Sequence, residues 1–142
     1  MQRKIKFRVY DYDSKKMRYL NGDHDFICFD EKGNGYYHNM QTGLGEWFSE
    51  LMQYTGLKDK NGVEIYEGDI ISLDDEHRKL ISSADAKCEE ELCRKDCLVG
   101  FKDGAFMFGR NRFKMDDLDS YLWLTSEHCE VIGNIYDNKE DI

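Results

Sequence analysis

The chain has 142 residues, 40% of them hydrophobic and 13% aromatic, which is the size and composition of one ordinary folded domain. Its net charge is −9, yet residues 1–20 hold seven Lys/Arg against two Asp, so the first twenty residues carry +5 and the remainder −14. That split excludes a uniformly basic groove for nucleic acid. No run approaches the roughly 20 apolar residues that span a bilayer, and "MQRKIKFRVYDYD" meets charges before any apolar run forms, unlike a signal peptide. Five cysteines, an odd number, point to reduced thiols and a cytoplasmic setting.

The chain lacks proline, so its 12 glycines carry much of the turn signal. Asn21-Gly22, Gly33-Asn34-Gly35, Asn61-Gly62 and Asp103-Gly104 read as tight turns of antiparallel structure. In "KIKFRVY", Ile5, Phe7 and Val9 alternate with Lys4, Lys6, Arg8 and Tyr10, the pattern of a strand with one buried face. "KMRYL" repeats the alternation after the polar turn "DYDSK". The pair predicts a hairpin with a basic outer face. "DFICFD" and "GYYHNM" predict a second hairpin.

Leu44, Trp47, Phe48, Leu51 and Met52 fall on one helical stripe, which predicts a short helix over 44–50 followed by a strand. The alternative is a strand throughout. "VEIYEGDII" alternates before Gly68 and turns apolar after it, as at a corner where a sheet bends towards a barrel. Residues 74–96 are highly charged and lack glycine, and read as a helical insertion or a mobile loop between strands. "CLVGFKDGAFMF" predicts another hairpin, and "SYLWLTS" and "EVIGNIY" the last strands.

"MQYTGLKDKNGVEIYEGDII" at 52–71 and "EVIGNIYDN" at 130–138 resemble, in order and spacing, the two signature blocks of the YopX family of phage and prophage proteins; "IKFRVYD" is similar to the family's opening strand. The resemblance implies a mainly β intracellular protein of phage origin and supplies no activity. Two departures stand out. Lys139 occupies a place where the family usually has proline, and segment 74–96 is longer than the usual connection. The expectation is a single YopX-like domain of mainly β class, with N-terminal hairpins and a short helix over 1–50. A curled antiparallel sheet or small SH3-like barrel follows over 51–142, carrying the charged insertion.

Several clusters could bear chemistry. Asp59, Glu64, Glu67 and Asp69 lie close in sequence, but "DKNGVE" lacks the spacing of a calcium loop, and turn-forming acids are the better account. Cys88, Cys93 and Cys97, with Cys129 or His77, would make a loose zinc set; reduced thiols are the expectation, with no metal and no cofactor. His24, His38, His77 and His128 sit in no nucleophile signature, and the G-x-G at Gly43 and Gly45 goes no further. Asp74, Asp75, Glu76, Glu89, Glu90 and Glu91 form two acidic clusters in one segment, suited to a basic partner.

The leading expectation is therefore a non-catalytic interaction module that engages a basic host or defence protein as an acidic inhibitor or modulator. One alternative is a nucleic-acid-binding accessory protein using Lys4, Lys6, Arg8, Lys16 and Arg18. A second is an enzyme of unrecognised type. Exposed strand edges also leave room for a homo-oligomer.

Overall fold

The computed structural model describes residues 3–20, 25–39, 48–74, 96–109, 118 and 120–137. The chain forms two compact units, Met1–Tyr54 and Thr55–Ile142. Both are built from antiparallel strands, as the tight-turn signals predict.

In the first unit, β1 (Phe7–Asp11) and β2 (Lys16–Tyr19) form the expected hairpin, and β3 (Asp25–Phe29) and β4 (Gly35–Asn39) form the second. Aspartates organise both turns. The Asp11 carboxylate accepts the N–H groups of Asp13 and Ser14, and Lys15 sits at φ 58°. Asp30 accepts the N–H groups of Lys32 and Asn34, while Gly33 supplies φ 85°. Short acid side chains mimic a backbone turn in this way.

Segment 48–54 runs along the other side of β1. Phe48 bridges Asp11, Ser49 exchanges bonds with Tyr10, and β5 (Met52–Lys58) begins against Phe7 and Arg8. The strand expected after residue 50 is therefore present. The predicted helix over 44–50 does not extend through Phe48, because the backbone of Phe48 and Ser49 is spent on β1; residues 44–47 lie outside the described residues. β1 is the central strand of its unit, and both its faces are covered: Val9 is fully buried and Arg8 is 3% exposed.

In the second unit, β5 ends against β6 (Glu64–Tyr66). Glu67 and Gly68 then turn the chain into β7 (Asp69–Leu73), with Gly68 at φ 87°. This is the corner expected at Gly68, since β6 and β7 belong to different sheets. β8 (Cys97–Lys102) and β9 (Ala105–Gly109) join through Asp103 (φ 53°) and Gly104 (φ 81°), the two successive positive φ angles of a type I′ hairpin. With β10 (Ser120–Tyr121) and β11 (Cys129–Asn134) they complete a five-stranded sheet in the order β10-β9-β8-β7-β11.

The register places Ile71 beside Cys97, Val99 beside Phe108 and Leu73 beside Cys129. Cross-strand neighbours share a face, so these side chains form one apolar layer, closed by Ile65 and Leu122. Each fully buried side chain of this size contributes roughly 1.5–3 kcal/mol. The curled antiparallel sheet expected for this half is what forms.

Its helical content among the described residues is two 3-10 turns, Leu122–Leu124 and Ser126–His128, each closed by an i+3 bond. They replace most of the strand expected from "SYLWLTS". The reason is burial: Leu122 is fully buried while Trp123 and Leu124 are 64% and 55% exposed, a spacing that a continuing strand would not produce. The helical insertion expected within 74–96 lies outside the described residues from 75 to 95. Among the described residues no helix is long and apolar enough to cross a membrane.

Candidate functional site

Two carboxylates of the first signature block, Asp59 and Asp69, are bonded by the fold's own backbone. Asp59, 5% exposed, accepts the N–H groups of Asn61 and Val63 on Oδ1, at 2.8 and 2.9 Å, and the N–H of Val131 on Oδ2 at 2.9 Å. Asp69, 2% exposed, accepts the N–H of Tyr66 at 2.8 Å. Each therefore holds a turn. Glu64 and Glu67 are half-buried. The two signature blocks, separated by the 58 residues 72–129, are neighbours in space. β7 pairs with β11 from Leu73–Cys129 to Asp69–Asn134, and the turn before β6 bonds the far edge of β11.

The basic residues of the first hairpin do not collect on one face. The register sets Arg8 opposite Tyr19 and Val9 opposite Arg18. Arg8, Tyr10, Met17 and Tyr19 thus share one face, while Val9, Asp11, Lys16 and Arg18 share the other. Lys4 and Lys16 are exposed, and the Lys6 ammonium lies 5.5 Å from the centre of the Tyr54 ring. Arg18 Nε donates to Tyr37 Oη at 2.9 Å, and Nε and Nη2 reach Asp25 Oδ1 at 3.3 and 3.2 Å; Tyr37 Oη in turn donates to Asp25 Oδ1. Partial burial alone would lower the Arg18 pKa, but the Tyr37 phenol and the Asp25 carboxylate outweigh it and hold it above its ordinary value. Asp25 and Tyr37 were not singled out from the sequence. Alternation puts Asp25 and Ile27 on one side of β3, but which β4 residues join them depends on the register.

Of the acidic residues expected to face a partner, Asp74 directly follows β7. Its N–H donates to the Cys-preceding carbonyl of His128 at 2.9 Å, and its carboxylate lies 3.7 Å from His128 Nδ1. Asp75, Glu76, Glu89, Glu90 and Glu91 lie outside the described residues, as do Cys88, Cys93, His24 and His77. Cys97 and Cys129 are fully buried in the apolar layer. Burial, helped by the nearby Asp59 carboxylate, pushes the Cys129 thiol up to about 12, and its Sγ donates to the Ser126 carbonyl at 3.3 Å. Among the described residues no three His, Cys, Asp or Glu side chains are grouped as a metal site requires.

A scan against family models matches the YopX protein family over residues 6–142. The chain belongs to the YopX family. Solved structures also resemble the chain. The crystal structure of protein EF1440 from Enterococcus faecalis is 28% identical, with 98% of each chain covered and a TM-score of 0.53. The crystal structure of protein yopX from Bacillus subtilis is 20% identical, with 95% of this chain and 93% of that chain covered and a TM-score of 0.50. The second likeness shows the YopX fold alone. No curated protein matches.

Proposed function

We propose that this YopX protein is a non-catalytic interaction module of phage origin. Segment 74–96 engages a basic host or defence protein as an acidic inhibitor or modulator. The observation that carries the reading is where the segment is rooted. Ile71 pairs with Cys97 and Ile70 with Leu98, so the chain leaves the sheet at the end of β7 and re-enters on the adjacent strand. Two residues suffice to join such strands. The connection from Leu73 to Cys97 is therefore much longer than this pairing needs, and residues 74–96 carry eight Asp/Glu against five Lys/Arg, a net −3. Charge of this kind raises the rate at which a basic partner is met.

Where buried acids are engaged by the fold's own backbone, as at Asp59 and Asp69, they support a scaffold role for the signature blocks. The basic hairpin is less suited to phosphate, because Arg8 is buried and Arg18 is shared with Asp25 and Tyr37.

The test is capture from host lysate by the full chain and by a variant with residues 74–96 replaced by a short glycine linker. A basic protein retained by the full chain, released by salt, insensitive to nuclease and lost with the replacement supports the reading. Capture that survives the replacement overturns it. Capture abolished by nuclease overturns it in favour of the nucleic-acid alternative.

A further inference from the structure

The turn between β5 and β6 does something beyond reversing the chain. Among the described residues β11 is the last strand of its sheet, so its outer edge presents N–H and C=O groups that a further strand would pair. Two of these groups are already engaged. Lys60 donates its N–H to the Cys129 carbonyl at 3.0 Å, and Asp59 Oδ2 accepts the Val131 N–H at 2.9 Å. The Cys129 acceptor and the Val131 donor, on either side of Glu130, are groups that a neighbouring strand would use. Immediately beyond, the register of β11 against β7 slips between Val131 and Gly133, a bulge that bends the strand. The edge is thus stopped by a side chain and a turn, then kinked.

We propose that Asp59 is an edge lock: it closes the outer edge of β11 to a strand from a second copy of the chain. A sheet edge pairing with its own copy about a two-fold axis is self-complementary, which makes a second copy the nearest occupant of an opened edge. Ile132, 48% exposed on the bulge, and Val63, 48% exposed on the turn, stand as apolar neighbours of that edge.

Asp59→Asn separates the lock from the turn. Asparagine keeps the oxygen that accepts the Asn61 and Val63 N–H groups, but puts an NH2 group where Oδ2 met the Val131 N–H, donor against donor. The expected result is roughly tenfold faster hydrogen exchange at the Val131 amide, with the amides of Val99 and Ile71 unchanged. A sedimentation coefficient that rises with concentration more steeply than in the unmodified chain should accompany it. A second substitution, Ile132→Lys, places a charge at the opened edge. It should restore the original sedimentation while Val131 exchange stays fast. Acceleration of all amides together would show that Asp59 supports the whole unit and would overturn the proposal. So would fast Val131 exchange without added self-association.

Discussion

Replacing Tyr37 with phenylalanine tests how the two N-terminal hairpins are joined. The ring is 2% exposed and meets Phe48 edge to face, with centroids 4.7 Å apart, a contact that phenylalanine keeps. The substitution therefore removes a hydroxyl and little else. That hydroxyl accepts from Arg18 and donates to Asp25. The Arg18 side chain is 45% exposed, so water replaces its lost partner at small cost; the Asp25 side chain is 5% exposed, so its lost donor is harder to replace. A hydrogen bond to a charged group contributes about 1.5–3 kcal/mol, and with the Arg18 side discounted the expected loss is about 2 kcal/mol. With a slope of about 2 kcal/mol per molar, the urea midpoint falls by about 1 M. Because the chain comprises two compact units, the melt is best followed at β3 and β4 amides by NMR. A double-mutant cycle with Asp25→Asn should show about 1 kcal/mol of coupling. A midpoint shift below about 0.2 M, or additivity, would refute the idea that this network ties the hairpins together.

Phe108→Ala should cost about 3–5 kcal/mol, measured by denaturant unfolding, because the ring is fully buried between Val99 and the rest of the apolar layer. Gly104→Ala should cost about 1 kcal/mol in thermal unfolding although its Cβ would meet open space, because the strain lies in its φ of 81°. The Cys129 thiol has a folded pKa raised from 9.0 to about 12. The stability it contributes is therefore present below pH 9.0 and is lost as pH rises through about 12, since the unfolded chain releases that proton first. Cys129→Ala should flatten the alkaline limb of the stability–pH profile. At pH 8, half-buried Cys28 should alkylate in the native protein before Cys129 does, read by mass spectrometry of peptides.

Much of the fold was legible because period-two alternation and paired turn residues are local signals. The β1–β2, β3–β4 and β8–β9 hairpins, the corner at Gly68 and the curled sheet all follow from them. Faces were harder to read. Alternation puts Arg8 and Val9 on opposite faces and predicts that only one is buried, whereas both are. The basic residues divide between two faces because the β1–β2 register sets Lys16 and Arg18 opposite the face of Arg8, and neither strand alone encodes that register. The strand expected at Leu122–Leu124 is absent because apolar content does not by itself specify extension: only Leu122 enters the core. The acids of the first block could be assigned to turns, but the bond from Asp59 to Val131 depends on a long-range approach that no local pattern encodes. The network of Arg18, Asp25 and Tyr37 is of the same kind: each residue is ordinary alone, and the arrangement arises only when two hairpins meet.

Gly68 donates its N–H to the Val99 carbonyl of β8 and accepts from the N–H of Ile135, the residue just after β11, so one peptide neighbourhood is stitched to two distant parts of the chain at once. Lengthening the chain there by even a single residue would pull both stitches out of step. Length drift among descendants of this protein should accordingly spare the corner and accumulate in the long connection between Leu73 and Cys97. The same asymmetry tells an engineer where a reporter domain can be spliced in and where it cannot.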